Sequence, residues 1–164
     1  PLGQLPVDAD AVARLADLPD VTVLDIAHAQ EHSLETHLPF LQLALKKFAI
    51  VPLVVGDATP RAVASALEAV WGGPETLICV SSDLSHYHTY EHARRLDQAT
   101  SRAIEELDDA AIDANHACGW LAVRGLLLAA RRHGLAAHTL DVRNSGDTAG
   151  TRDQVVGYGA YAFA

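Results

Sequence analysis

The sequence predicts an α/β fold in which helices cover both faces of a sheet, so that helices and sheet form three layers. Short apolar runs that contain β-branched residues, at 21–26, 49–55 and 76–80, alternate with stretches whose apolar side chains recur at helical spacing. The run at 49–55 is continuous, as expected for a strand that is buried on both faces. The chain has 164 residues and shows no linker, repeat or low-complexity segment, so we expect one domain over residues 1–164.

Helices and strands are predicted in turn along the first half of the chain. Val12, Leu15 and Leu18 recur at helical spacing. Thr59 followed by Pro60 is typical of a helix N-terminus, because threonine caps the helix and proline is tolerated in its first turn. The predicted elements are a helix over 8–18, a strand over 21–26, a leucine-rich helix over 34–45 that Pro39 interrupts, a strand over 49–55, a helix over 59–70 and a strand over 76–80.

The second half of the chain is predicted to begin at a functional edge of the sheet. The strand over 76–80 delivers Ser81, Ser82 and Asp83 at its carboxyl end, which is where α/β sheets build their sites. Further along, Gly134 follows three basic residues and is typical of a helix C-terminus. The remaining predicted elements are helices over 90–107 and 119–133, and strands over 138–143 and 155–163.

The composition excludes several classes of partner. The formal net charge is −9 and the pI is about 5.3, which argues against nucleic acid or an anionic membrane as the main partner. No apolar run approaches the length of a membrane span. The chain has two cysteines, too few for a disulfide framework, and we therefore expect a cytoplasmic protein.

Nine histidines are the unusual feature of the composition, and several of them fall into clusters with other metal-ligating residues. One cluster lies at 28–37 and contains His28, Glu31, His32 and His37. The second lies at 83–88, and the third surrounds Cys118 at 115–119. Because imidazole, carboxylate and thiolate are ligands of transition metals, these clusters predict one composite site.

Two hydrolase alternatives follow from short motifs. His28, Glu31 and His32 match the H-x-x-E-H pattern of some zinc hydrolases, which requires all three residues on one uninterrupted helix. Since His28 comes directly after a predicted strand, we treat a zinc hydrolase as a minor alternative. Ser82 with Asp83 and His86 suggests a serine hydrolase, but no G-x-S-x-G turn surrounds the serine. Asp83 after a strand fits a residue that caps a turn, and with His86 three residues later it also fits a carboxylate that orients a general base.

Several motifs together resemble the MEMO family, whose prokaryotic members are labelled AmmeMemoRadiSam system protein B. The match covers nearly the whole chain, and the motifs are EHSLETHLPF at 31–40, VSSDLSHY at 80–87, ACG at 117–119, NSGDT at 144–148 and VVGY at 155–158.

The resemblance implies a LigB-like fold shared with the class III extradiol dioxygenases, which use non-haem iron. It implies that Cys118 is a ligand of iron (Fe²⁺) or copper and that His86 and Asp83 are catalytic residues, with His86 carrying a proton. His32, Glu31 and His37 are expected in the wall of the site. The chemistry expected is metal-dependent redox or dioxygenase-like, on a small-molecule substrate that the sequence does not identify.

In the family, two further histidines hold the metal, in H-A-G and G-P-x-H segments that these residues do not contain. The resemblance begins at the PLG stretch of residues 1–3, so we expect a chain truncated at the N-terminus, corresponding to the C-terminal two thirds of a family member. Without the two histidines, this chain alone is expected to be inactive and without a bound metal. The alternative function is a non-catalytic adaptor, whose partner would be a protein associated with a radical SAM system.

Overall fold

The protein is described by a computed structural model over residues 2–164; Pro1, where the resemblance begins, lies outside the described residues. Apart from the short helix at Asp25–His28, the helices of the described residues follow the amphipathic stretches of the sequence. The helices are α1 (Ala9–Ala16), α2 (Asp25–His28), α3 (Ser33–Ala44), α4 (Pro60–Ala69), α5 (Tyr90–Glu105) and α6 (Trp120–His133), with 3₁₀ turns at Asp109–Ala111 and Ser145–Asp147.

The sheet is small and antiparallel. Its strands are β1 (His86–His88), β2 (Ala137–Asn144) and β3 (Val155–Phe163), and their order is β1-β3-β2. The β2 and β3 strands form a hairpin in which Ala137 is opposite Phe163 and Asn144 is opposite Gly157. The protein is therefore α/β, as predicted, with helices and a three-stranded antiparallel sheet in the described part of the chain.

Three predicted strands are not formed. Part of the run at 21–26 lies in helix α2, and the run at 49–55 makes one parallel bridge, between Ile50 and Val7. The run at 76–80 is outside any regular element. Among residues 2–164, no backbone hydrogen bond joins 51–55 or 77–80 to another segment. An extended run becomes a strand only when a neighbouring strand pairs with its amides and carbonyls, and these runs have no such neighbour in the described residues.

The helix boundaries follow local signals. Thr59 accepts a hydrogen bond from the Ala62 amide at 3.1 Å, so it caps α4 with proline in the first turn, as predicted. Gly134 ends α6 with φ 68°, a left-handed conformation that glycine adopts without strain. Helix α3 runs from Ser33 to Ala44 through Pro39, so the predicted interruption at this proline is wrong.

Two apolar clusters form the core and fix the position of helix α6. Ile112 and Leu127 are fully buried between α5, α6 and β2. Val63 of α4 packs against Ala129 of α6 in the second cluster. Because α6 contributes to both clusters, its first turn is held firmly, and that turn begins just after the sequence around Cys118.

Helix α3 presents apolar side chains to solvent. Phe40 is 73% exposed and Leu43 is 77% exposed, while Leu34, Leu38 and Leu41 are half-buried. Outside this helix, Ile26 is 74% exposed. Despite these apolar surfaces, within residues 2–164 no helix has both the length and the apolar character that crossing a membrane requires.

Candidate functional site

The segment 81–88 carries the centre of the candidate site and is attached to strand β3. The Leu84 amide donates to the Gly157 carbonyl at 2.9 Å, and the Gly157 amide donates to the Ser85 carbonyl at 2.8 Å. Leu84 and Ser85 are buried, with 5% and 0% exposure. Leu84 and Ser85 are thus fixed in the core, and Asp83 and His86, which flank them in sequence, remain open to solvent.

Asp83 and His86 form the pair predicted from the sequence. Nε2 of His86 lies 3.3 Å from Oδ2 of Asp83. The two side chains are 33% and 49% exposed for His86 and Asp83 respectively, so both are open to solvent on one side. When the imidazole is protonated the pair is an ion pair, and when it is neutral the carboxylate orients the ring through a hydrogen bond.

Cys118 is brought to the same place by backbone contacts. Its amide donates to the Asp83 carbonyl at 3.3 Å, and the Asp83 amide donates to Sγ of Cys118 at 3.2 Å. Ser82 supports the arrangement, because its hydroxyl accepts a hydrogen bond from the Gly119 amide at 2.9 Å and lies 3.7 Å from Sγ of Cys118. The cysteine is exposed and free, just before the first turn of α6.

The donor atoms of Asp83, His86 and Cys118 fit a metal ion. One ligand atom of each residue lies within 4.8 Å of the other two. Ligands at the usual bond lengths around one ion are roughly 3 to 4 Å apart, so small side-chain movements would bring all three into its coordination sphere. Sulfur, nitrogen and oxygen donors together suit a transition metal better than Mg²⁺ or Ca²⁺, which prefer oxygen alone.

Tyr87, between His86 and His88, has an unusual backbone conformation. Its φ of 60° is in the left-handed region, which a tyrosine adopts rarely, and the pairing of β1 with β3 shifts register at the same point. Backbone strain of this kind occurs often at functional sites. The residues around Tyr87 carry no signal of a left-handed conformation, so this feature was not predictable from the sequence.

The cluster at 28–37 divides into two parts. Nε2 of His37 lies 2.9 Å from Oγ of Ser81, which places this histidine beside the segment that carries the site. Glu31 instead accepts hydrogen bonds from the amides of His32 and Ser33, both at 2.8 Å, at the start of α3. These two amides hold the pKa of the Glu31 carboxyl below its usual range. The position of Glu31 and His32 in the site wall stays a prediction.

The zinc hydrolase alternative is wrong for this structure. His28 is the last residue of helix α2, and helix α3 begins only at Ser33, so Glu31 and His32 lie between the two helices. The H-x-x-E-H pattern places its ligands on one face only when a single helix continues through it. Within residues 2–164, the only group of three metal-ligating side chains that converge is the one formed by Asp83, His86 and Cys118.

A cavity of about 610 Å³ lies next to the candidate site. Its lining includes His37, Ser82 and Ala117, and otherwise consists largely of apolar side chains from segment 71–84, helix α6 and strand β3. The unpaired run at 76–80 forms one wall. The site therefore adjoins an apolar space and is open to solvent on its other side.

Comparison with known proteins gives consistent matches over the whole chain. The family described as Memo-like protein matches residues 1–162. A MEMO1 family protein of Metallosphaera sedula is 30% identical over 178 aligned positions, which cover 100% of this chain and 63% of that protein. Counterparts in Sulfolobus acidocaldarius and Methanobrevibacter smithii are 32% and 34% identical, and each match covers 99% of this chain and 62% of the relative. The chain thus spans less than two thirds of the length of these relatives.

Proposed function

Since the chain belongs to the family of Memo-like proteins, we propose that it is the part of a metal-dependent redox protein that supplies Cys118, Asp83 and His86 to an iron or copper site. The convergence of the three donor atoms within 4.8 Å carries this proposal. Asp83 precedes strand β1, His86 lies in β1, and Cys118 lies in the turn before α6. The three side chains therefore converge through the fold, since Cys118 is distant from the other two in sequence.

Each residue has a distinct role in this proposal. Cys118 is the sulfur ligand, and the amide of Asp83 directs a hydrogen bond at its sulfur, which fixes the orientation of the side chain. Asp83 either binds the metal or orients His86 through Nε2, and His86 then accepts or delivers a proton through its other ring nitrogen. When bound, the metal would supply redox chemistry that no side chain in the cluster can perform alone.

The remaining ligands would come from polypeptide that the curated relatives have in addition to the matched region. Oxygen activation by non-haem iron needs three ligands on one face of the ion and open positions opposite. We expect two histidines to complete this set in a protein of the relatives' length. The exposed, solvent-facing side of Asp83 and Cys118 leaves room for them and for a small-molecule substrate.

The proposed architecture of the complete protein is a LigB-like sheet with helices on both faces. The unpaired, extended backbone at 51–55 and 77–80 supports this, because it offers two further strands that lack only their neighbours. Their side chains are apolar, and Leu53 and Leu77 are 39% and 64% exposed. We propose that polypeptide equivalent to the unmatched part of the relatives pairs with these runs and covers them.

A second candidate function is a non-catalytic adaptor in the cytoplasm, associated with a radical SAM protein. The exposed apolar side chains of Ile26, Phe40 and Leu43 favour it, since a partner protein could bury them. In this case, substitution of Asp83, His86 or Cys118 would leave partner binding unchanged, whereas Phe40→Asp would abolish it.

The iron and copper contents of the full-length protein test the metal proposal. We expect metal to copurify with the wild type and to be lost from Cys118→Ser. Cys79→Ser is the matched control, because Cys79 is also free and exposed but lies outside the donor cluster. Equal metal in the wild type and in Cys118→Ser would refute the role of the cysteine. Metal loss from both cysteine variants would show that the effect is not specific to the cluster.

A further inference from the structure

Helix α5 contains a buried carboxylate that the proposed function does not use. Asp97 is 1% exposed, and it is the one charged residue among those that are buried in residues 2–164. Burial raises the pKa of this carboxyl above its usual value, because the charged form loses its hydration. Within the same residues no lysine or arginine forms a salt bridge with Asp97. A carboxylate in such a position needs a structural reason, since carboxylates are almost never fully buried without one.

The hydrogen bond of Asp97 supplies that reason. Its Oδ1 accepts the backbone amide of Ser85 at 3.0 Å, and both groups are buried. In a regular antiparallel pair, the Ser85 amide would donate to Gly157, because the Gly157 amide donates to Ser85. The Gly157 carbonyl is instead bonded to the amide of Leu84, one residue earlier. Leu84 and Ser85 together therefore oppose Gly157, as in a β-bulge. The bulge leaves the Ser85 amide without a backbone acceptor, and the Asp97 carboxylate accepts its hydrogen bond instead.

The second oxygen of Asp97 packs against the backbone of Gly157. A Cβ atom built on Gly157 would lie 2.1 Å from Oδ2 of Asp97, so this glycine leaves the space that the carboxylate occupies. Asp97 thus contacts both segment 81–88 and strand β3 at the same point, through a hydrogen bond to Ser85 and close packing against Gly157. It holds the bulge in place from the side of helix α5.

The bulge determines where the candidate ligands point. Asp83 and His86 are three residues apart, and side chains at that spacing on a regular strand lie on opposite faces. They face each other at 3.3 Å only because the chain bends at Leu84 and Ser85 between them. The same bend aligns the backbone of Asp83 with Cys118. Loss of the contact that holds the bend would therefore displace the carboxylate and the imidazole relative to the thiol.

We propose that Asp97 is a positioning residue of the site, whose buried carboxylate holds the Leu84–Ser85 bulge and so sets Asp83 and His86 relative to Cys118. The effect of Asp97 on metal binding rests on the proposed function. The arrangement of Asp83, His86 and Cys118 that Asp97 maintains exists in the metal-free protein as well. Asp97 touches neither ligand nor substrate. It acts through the backbone of Ser85.

The test compares Asp97→Ala, Asp97→Asn and Thr100→Ala in the full-length protein. Asparagine keeps an oxygen that can accept the Ser85 amide, and alanine does not. Thr100 is the matched control, because it is equally buried on the same helix at 1% exposure and its hydroxyl bonds only to the Leu96 carbonyl of that helix. Far-ultraviolet circular dichroism verifies folding. If Asp97→Ala does not fold, Asp97→Ser replaces it, because a serine hydroxyl is too short to reach the amide.

Cobalt titration is the first measurement, with the thiolate-to-Co²⁺ absorption band as the signal. We expect Asp97→Ala to weaken the Co²⁺ Kd by about 10- to 100-fold, the usual effect of losing a group that orients a ligand, and Asp97→Asn to retain most of the affinity. Thr100→Ala should match the wild type. Equal Kd values and equal spectra for wild type and Asp97→Ala would overturn the proposal.

Nuclear magnetic resonance of the metal-free protein separates this proposal from the proposed function. The Ser85 amide proton should move upfield in Asp97→Ala, and the contact between the His86 ring and the Cys118 side chain should be lost, with neither change in Thr100→Ala. If the wild type binds no Co²⁺ but these changes occur, the metal proposal fails and the positioning role holds. If the His86 to Cys118 contact persists in Asp97→Ala, the positioning role is refuted whatever the metal result.

Discussion

Replacement of Gly157 by alanine tests the close packing between helix α5 and strand β3. The new methyl group would lie 2.1 Å from Oδ2, 2.6 Å from Cγ and 2.8 Å from Oδ1 of Asp97. All three separations are shorter than a Cβ atom tolerates, so the carboxylate cannot stay where it is. It must withdraw, and its withdrawal breaks the hydrogen bond to the Ser85 amide.

The expected loss of stability follows from these contacts. Overpacking of a well-packed site costs about 1 to 3 kcal/mol. Leaving the Ser85 amide buried without a partner costs about 1 to 3 kcal/mol more. The alanine offsets about 0.4 to 1 kcal/mol by restricting the unfolded chain. We therefore expect Gly157→Ala to lower the free energy of unfolding by about 1 to 6 kcal/mol.

Urea unfolding monitored by circular dichroism measures this change. Gly56→Ala is the control, because no atom lies within 4 Å of its added methyl group, and it should change the free energy by less than about 1 kcal/mol. The double variant Gly157→Ala with Asp97→Ala should lose less free energy of unfolding than the two single variants lose together. The reason is that alanine at position 97 leaves the space that the methyl group at position 157 needs. A Gly157→Ala protein within about 0.5 kcal/mol of the wild type would refute the packing argument.

Three further predictions concern other parts of the molecule. Thr59→Ala removes the cap of helix α4 and should lower the free energy of unfolding by about 1 kcal/mol in urea, while Thr59→Ser should not; equal loss in both would contradict the capping role. Because burial raises the pKa of Asp97, this carboxyl stabilises the fold most below its usual pKa and loses that contribution as the pH rises through the raised value. Asparagine does not titrate, so the stability of Asp97→Asn relative to the wild type should increase with pH across the acidic range, and parallel curves would count against burial of the charge. Finally, the 164-residue chain alone should self-associate and bind the dye anilinonaphthalene sulfonate, because the apolar side chains of Phe40 and Leu43 are exposed. A monodisperse monomer that melts cooperatively and binds no dye would contradict this prediction.

The helices were predictable because their boundaries depend on neighbouring residues. Thr59, Pro60 and Gly134 each act within one turn of the helix they begin or end, so the sequence alone locates α4 and α6. Helix α5 begins at Tyr90 as predicted but ends at Glu105, two residues early, because Leu107 adopts a left-handed conformation with φ 52°. The sequence contains no glycine at that point to signal the end.

The strands were predictable only where both partners lie close in sequence. The runs at 138–143 and 155–163 pair as a hairpin, and the structure confirms both. The runs at 49–55 and 76–80 have strand composition, but composition does not say which segment pairs with them. Their partner is not found in the described residues, so the prediction of strands there was wrong for this structure.

The site was predictable as a set of residues, though not as a geometry. Asp83, His86 and Cys118 were identified from residue type and the family resemblance, and the structure brings their donor atoms together. Asp97 was missed because one aspartate in a strongly charged helix is typical of a solvated face. The position of Asp97 in the helix could have indicated its burial. It lies four residues after Ala93 and seven before Ile104, on the same face of the helix as these two buried residues.

The dependence of the bend at 84–85 on Gly157 has a consequence for biosynthesis. Ribosomes add residues from the N-terminus, so Asp83, His86 and Cys118 leave the exit tunnel before Gly157 does. At roughly 5 to 20 residues per second, the delay between Cys118 and Gly157 is on the order of several seconds. During that interval the nascent chain contains Asp83, His86 and Cys118, but it lacks the hydrogen bonds to Gly157 that shape the bend between Asp83 and His86. If the cluster binds metal as proposed, the geometry that the ion requires is therefore complete only after Gly157 has been added.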